Sequence, residues 1–166
     1  MSAKYTPQQI ANYFIYMHKQ AGKKLDFMKL LKLVYISYAW YLNRKDEKLF
    51  DESIQAWNDG PVIPSLYHEF KTQPKFDITE YSTNSTMFAM TVEPTDDDVH
   101  RILGAVFKMY GNTNGKKLSN ITHDNAPWKN AIKKGYNAII DDEDIKQAAE
   151  IGLNKYFAKY EDGTGN

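Results

Sequence analysis

The stretch FMKLLKLVYISYAWYL, residues 27–42, decides the fold of this chain, because it carries apolar side chains on nearly every side of a helix. A helix that is apolar all round is normally covered by neighbours on several sides, unlike an amphipathic surface helix. Asp26 is suited to cap a helix that runs from there to about Asn43. Lys29 and Lys32 are its early polar interruptions. The pattern predicts a buried central helix around which the other elements pack.

The segments on both sides of this helix carry helix start signals and apolar residues at helical spacing. Thr6 and Pro7 begin a first helix that ends near Gly22, and Asp141 caps a last one. Further helices are predicted at Pro64–Thr72, Thr95–Tyr110 and Lys116–His123, and another from Pro127. The sequence therefore predicts a mainly α fold, a single compact helical domain.

Short extended segments interrupt the helices in the middle of the chain. Residues Phe50–Trp57 alternate apolar and polar side chains, which predicts a strand or an extended arm. The sequence NDGP, residues 58–61, predicts a turn, because Gly60 can adopt a positive φ. Two further β-like runs, Phe76–Tyr81 and Met87–Val92, predict a hairpin around the polar residues between them. We expect a small β-hairpin or extended element in the middle of the helical fold.

Length, charge and composition limit the class of protein. The chain has 166 residues, which fits one domain, and its 21 basic side chains balance 21 acidic ones. It has no cysteine, so neither a disulfide nor a thiolate is available. The longest nearly apolar run, Leu33–Leu42, reaches roughly half of a bilayer span, and the first residues carry no signal-peptide pattern. We expect a cytoplasmic domain at residues 1–160, without membrane contact, and a flexible tail at 161–166.

Side chains at catalytic or metal-ligating spacing are not visible in the sequence. The four histidines do not pair at metal-ligand spacing. His123 and Asp124 could serve acid–base chemistry, but a capping or packing role before Pro127 explains them more simply. Residues 111–117, GNTNGKK, lack the hydroxyl that follows the lysine of a phosphate loop. We predict no enzyme, no cofactor and no metal; a hydrolase that uses His123 and Asp124 is the least favoured alternative.

Pairs of lysines make a nucleic-acid-binding regulator a second alternative. They occur at 23–24, 116–117 and 133–134. Such a function would require Lys23, Lys24, Lys29 and Lys32 on one exposed face together with the later lysines. Because balanced net charge offers little long-range attraction to phosphates, solvated surface positions are the simpler interpretation.

Three motifs follow one another in the order found in one protein family. FMKLLKLVYISYAWYL resembles a Lys-Leu-x-Lys-Leu-x-Tyr helix, and LFDESIQAWNDGPVIPSLYHEFK, residues 49–71, resembles the hallmark Ala-Trp-x-x-Gly-Pro-Val-x-Pro-x-Leu-Tyr segment. LSNITHDNAPWKNA, residues 118–131, resembles the Leu-Ser-x-x-Thr-His-x-x-x-Pro-Trp signature. On these motifs the chain, from about Ile10 to Phe157, resembles the Panacea domain, the SocA-like antitoxin family, which is also known as phage-associated proteins.

The resemblance implies binding and not catalysis. Members of the family neutralise diverse toxins by direct contact, and one of them acts as an adaptor that delivers its toxin to a protease. They are encoded beside a toxin gene or in phages and other mobile elements. The resemblance therefore implies the antitoxin of a toxin–antitoxin system, whose partner is a cognate protein toxin, with a protease as a further partner if the chain is an adaptor.

The motif residues divide into an expected framework and an expected contact patch. Lys29 and Lys32 lie three positions apart and share one side of the helix, so we expect them at the surface near the Gly-Pro corner. With Asn58, Asp59 and Tyr67 they would form a mixed basic and aromatic patch for the partner. The alternative is that the two lysines form only intramolecular ion pairs. The expected framework, whose two tryptophans we expect to be largely buried, is Trp57, Gly60, Pro61, Pro64, His123, Pro127 and Trp128.

Overall fold

The computed structural model describes residues 2–83, 91–93, 95–123 and 125–160. Within these ranges lie seven helices and one two-stranded antiparallel sheet, which confirms the prediction of a mainly α fold with a small hairpin. In chain order the elements are α1 Pro7–Gln20, α2 Phe27–Lys45, β1 Gln55–Trp57, β2 Gly60–Val62, α3 Pro64–Phe70, α4 Asp97–Tyr110, α5 Gly115–His123, α6 Ala126–Ile132 and α7 Asp142–Tyr160.

Helix α2 is the central element, as its apolar pattern predicts. Every residue from Lys29 to Leu42 is buried. The Asp26 carboxylate caps the helix by accepting a hydrogen bond from the Lys29 backbone N–H at 2.7 Å. Helices α1, α3, α4, α5 and α7 all pack against it, together with strand β2. This arrangement makes α2 the common scaffold on which the other elements are positioned.

The predicted helix starts agree closely with the structure. Thr6 forms a capping box with Gln9, and Pro7 occupies the first helical turn of α1. Asp141 Oδ1 accepts hydrogen bonds from two backbone N–H groups at the start of α7. For α4, however, the capping side chain is Asp96 and not Thr95, and its carboxylate accepts from the Val99 N–H.

The hairpin lies earlier in the chain than the predicted one, and its second strand was not predicted. Strands β1 and β2 pair Gln55 with Val62 and Trp57 with Gly60, so residues 58 and 59 form the turn that the Gly-Pro sequence indicates. The first run of the predicted hairpin, Phe76–Tyr81, forms no strand. Its backbone bonds to the connection before α2 instead, since the Ile78 N–H donates to the Leu25 carbonyl at 2.7 Å. Residues 84–90, which include part of the predicted turn and the start of the second run Met87–Val92, lie outside the described residues.

Two remaining expectations concern the ends of the chain and its environment. Across the part of the chain that the structure describes, no helix combines the length and the apolar character needed to cross a bilayer. The predicted tail at 161–166 lies outside the described residues.

Candidate functional site

Three donor side chains hold the β1–β2 hairpin at alternate backbone carbonyls. One donor comes from each of α2, α5 and α6. Lys32 belongs to the first sequence motif, Ser119 and Trp128 belong to the third, and the hairpin that they hold belongs to the second. The three motifs thus meet at one turn, where hydrogen bonds join them into a single unit. The bonds run from Lys32 Nζ to the Pro61 carbonyl at 2.8 Å, from Ser119 Oγ to that of Asp59 at 2.7 Å and from Trp128 Nε1 to that of Trp57 at 2.6 Å.

Gly60 is required at this turn for two separate reasons. Its φ is +107°, a conformation that residues with a side chain rarely adopt. A Cβ at this position would also lie 3.0 Å from Lys32 Nζ and 3.3 Å from Thr122 Oγ1. The glycine thus allows α2 and α5 to approach the turn closely enough to hold it.

The two lysines of α2 are buried, so the expectation that they reach the surface is wrong. Lys32 is fully buried, and Lys29 is 5% exposed. Each ammonium finds a backbone carbonyl in the interior, and Lys29 Nζ donates to that of Gly111 at 2.5 Å. Burial lowers the pKa of Lys32 to about 7 and also lowers the pKa of Lys29. Among the described residues neither lysine forms a salt bridge, so the alternative of intramolecular ion pairs is not found either.

The burial of these lysines also bears on the nucleic-acid alternative. That alternative needed Lys29 and Lys32 on an exposed face with Lys23 and Lys24. A fully buried ammonium bonded to a carbonyl cannot neutralise a phosphate. The basic face that the alternative required is therefore not present in this form.

The other three expected contact residues do lie together at the surface of the hairpin. Asn58 and Asp59 are exposed at the turn, while Trp57 and Tyr67 are partly buried beside it. The Trp57 ring lies 4.9 Å from that of Tyr67 and 6.0 Å from that of His68, which is exposed. We call these five residues, Trp57, Asn58, Asp59, Tyr67 and His68, the tip surface.

The framework residues surround the turn from behind. Pro64 opens α3, and the His123 ring stacks on Trp128 with 3.7 Å between ring centroids, which is the packing expected of it. Pro127, in the first turn of α6, is buried. Trp57 and Trp128 are of intermediate burial, and the indole N–H of each donates to an oxygen, that of Gln55 and that of the Trp57 carbonyl respectively. Asp124, the other member of the catalytic alternative, lies outside the described residues.

Two residues of the site were not singled out from the sequence. Ser119 stands inside the third motif, but its hydroxyl could be assigned to the Asp59 carbonyl only once α5 was placed beside the hairpin. His68 follows Tyr67 directly and joins the aromatic group through ring contacts on both neighbours. The aromatic density of residues 57–70 was the available signal for His68.

Comparison with known proteins places this architecture in a family. Residues 30–129 match the family described as antitoxin SocA-like, Panacea domain, and the chain belongs to it. The matched region contains the hairpin and its three donors. A similar protein is the antitoxin SocA of Caulobacter vibrioides (strain NA1000 / CB15N), 26% identical over 106 residues, which cover 61% of this chain and 56% of that protein. The chain thus matches little more than half the length of this relative. No solved structure matches the chain.

Proposed function

We propose that this chain is an antitoxin that neutralises a cognate protein toxin by direct contact through the tip surface. Membership of the SocA-like family and the similarity to a protein named antitoxin SocA support the antitoxin role. The location of the contact rests on the geometry of the hairpin.

The observation that carries this proposal is that the turn is rigidly held from behind while its side chains face outward. Three hydrogen bonds fix the carbonyls of residues 57, 59 and 61. The side chains of Asn58 and Asp59, at the turn itself, remain exposed. A surface that is already ordered loses little conformational entropy on binding, so its contacts contribute more fully to affinity.

The composition of the tip surface suits a protein partner. Trp57 and Tyr67 supply rigid aromatic area, and such residues are enriched at interfaces and at their energetic centres. The Asn58 amide and the Asp59 carboxylate supply directional polar contacts beside them. The carboxylate favours a basic group on the toxin.

Growth rescue tests this proposal. The reading frame that adjoins the gene is expressed from an inducible promoter, alone and together with this chain. We expect growth arrest in the first case and rescue in the second. Asp59→Lys should abolish rescue, because it reverses a charge on the tip surface. The backbone carbonyl of residue 59, which accepts the hydrogen bond from Ser119, remains in this variant. Glu47→Lys makes the same charge change at an exposed position outside the tip surface and should rescue fully.

The amount of toxin distinguishes steric neutralisation from delivery to a protease. Immunoblots of a tagged toxin should show unchanged amounts during steric rescue and rapid loss when the chain acts as an adaptor. If the Asp59→Lys variant rescues growth as well as the wild type does, the tip surface is not the contact. A neighbouring gene product that is toxic but neither rescued nor bound by this chain would contradict the antitoxin role itself.

A further inference from the structure

A cleft on another part of the molecule carries features of a small-ligand site. It has a volume of about 330 Å³ and lies between α2, α4, α5 and α7. Its floor is formed by buried residues of α2, and two exposed isoleucines, Ile121 and Ile151, line it from α5 and α7. Ligand sites of this size are typically apolar clefts with a few convergent polar groups.

Three aromatic side chains that line the cleft carry hydrogen-bond donors that are not bonded to another described protein group. They are Tyr35, Trp40 and Tyr110, which are 4%, 2% and 9% exposed. Within the described ranges, neither tyrosine hydroxyl nor the Trp40 Nε1–H makes a hydrogen bond. Burial raises the pKa of both tyrosines, so their hydroxyls stay protonated and can donate at neutral pH. None of the three donor atoms is among the described side-chain atoms that are fully buried without a partner, so they are open to the cleft. An acceptor supplied from outside can therefore reach them there.

Gly152 keeps the space beside these donors open. A Cβ at this position would lie 3.0 Å from the Tyr110 hydroxyl and 3.2 Å from Trp40 Nε1. The Tyr110 hydroxyl and Trp40 Nε1 therefore lie next to the same point beside Gly152, each about as far from it as the two heavy atoms of a hydrogen bond are from each other. Because Gly152 lies within helix α7, where glycine is unfavourable, the open space comes at a cost in helix stability.

The charge at the cleft favours an anion. Lys117 of α5 and Lys155 of α7 line it, and both are exposed. The described residues that line the cleft include no aspartate or glutamate. A ligand that is apolar in its body and negative at one end would match both the aromatic walls and the lysines.

We propose that this cleft binds a small apolar carboxylate. The carboxylate oxygens accept hydrogen bonds from the Trp40 indole and the neighbouring tyrosine hydroxyls, and Lys117 and Lys155 balance the charge. The hydrocarbon part packs against the apolar side chains that α2 and α7 contribute. This site is separate from the tip surface and does not depend on the proposed antitoxin function.

The three tryptophans provide a direct test by NMR. The Nε1–H groups of Trp57 and Trp128 donate to protein oxygens, whereas that of Trp40 is available to donate to a ligand. Phenylacetate, 4-phenylbutanoate and octanoate are titrated into ¹⁵N-labelled protein. With at least one of them, we expect the Trp40 indole signal to shift saturably while the other two stay in place. The matching carboxamide should cause less than about a tenth of the shift at equal concentration, because it lacks the charge.

A matched pair of glycine variants tests the location. Gly152→Ala places a methyl group beside the two donors, whereas a Cβ on Gly104 of α4 would meet only the Tyr13 hydroxyl at 3.7 Å. Both exchanges favour their helices, but the one at Gly152 also requires the Tyr110 and Trp40 side chains to shift by a few tenths of an ångström. Circular dichroism of both variants checks that they fold. We expect Gly152→Ala to lose the Trp40 response and Gly104→Ala to retain it. The Lys117→Gln/Lys155→Gln variant should lose the preference for carboxylate over carboxamide, while Lys116→Gln keeps it.

The proposal is overturned by any of three results. The Trp40 signal could stay fixed with all three carboxylates, it could respond equally to carboxamide and carboxylate, or the response could persist unchanged in Gly152→Ala. The lysine variant provides an independent answer if the glycine variant does not fold.

Discussion

At the scale of single residues, Lys32 shows how a charged side chain can be part of the core. Its stem runs from the central helix to the Gly-Pro corner, and its nitrogen donates to the Pro61 carbonyl. Burial disfavours the charged form, which lowers the pKa of Lys32 to about 7. The lysine thus links α2 to the hairpin and makes stability depend on pH.

The Lys32→Met variant tests this linkage. Between about pH 7 and 10 the unfolded chain, with a lysine pKa near 10.4, binds more protons than the folded one. The free energy of unfolding of the wild type should therefore rise with pH in that window. Relative to Lys32→Met, we expect a gain on the order of 3 kcal/mol between pH 7 and 9.5, measured by urea denaturation.

A control separates this effect from the other titrating groups. Lys24 is exposed, and Lys24→Met should follow the wild-type profile in parallel. Parallel profiles for the wild type and Lys32→Met would mean that Lys32 keeps an ordinary pKa in the folded protein.

At the scale of elements, the hairpin is stabilised mainly by its neighbours. Two strands of three residues are too short to be stable by themselves. The side chains of Ser119 and Trp128 hold adjacent points of the turn, at the carbonyls of Asp59 and Trp57. Because they restrain the same few residues, losing one should change the contribution of the other.

A double-mutant cycle measures this coupling. Trp128→Phe keeps a ring against His123 but removes the donor, and Ser119→Ala removes the hydroxyl. Each should cost about 1–2 kcal/mol of unfolding free energy, since a carbonyl loses its partner. We expect a coupling energy above about 0.5 kcal/mol from urea denaturation of the single and double variants.

Ser37 offers the matched control for this cycle. Its buried hydroxyl also donates to a backbone carbonyl, that of Leu33, but within α2. Ser37→Ala combined with Trp128→Phe should therefore be additive. If the unfolding free-energy changes of Ser119→Ala and Trp128→Phe are additive, the two donors hold the turn independently.

At the scale of the whole molecule, the region matched by the family is not a complete core. The match ends at residue 129, before α7 begins. Helix α7 nevertheless covers α2: Tyr156 packs 5.7 Å from the Trp40 ring, and Asp142 accepts a hydrogen bond from the Tyr38 hydroxyl at 2.8 Å. Segments outside the matched region thus complete the burial of the central helix.

Truncation tests this dependence. A chain that ends at residue 140 should lose cooperative thermal unfolding, followed by circular dichroism, because it exposes the side of α2 that α7 covers. A chain that ends at residue 160 keeps all of α7 and should melt like the full chain. A cooperative melt of the shorter chain near the full-length temperature would show that α7 is dispensable for the core.

The sequence by itself determined the helices, the central position of α2 and the turn at the Gly-Pro corner. These features follow from local rules: Thr6, Asp26 and Asp141 cap helices whatever lies around them, and a helix apolar on all sides has to be covered. Motifs also sufficed to indicate the family.

Only the tertiary structure decided which side chains face the solvent and which face the interior. Lys29 and Lys32 share a side of α2, but their burial depends on carbonyls that lie 82 and 29 positions away in the chain. The roles of Ser119 and Gly152 likewise arise from elements that meet in space. Local pattern cannot specify such partners, because hydrogen bonding and burial depend on distances that only the packed fold sets.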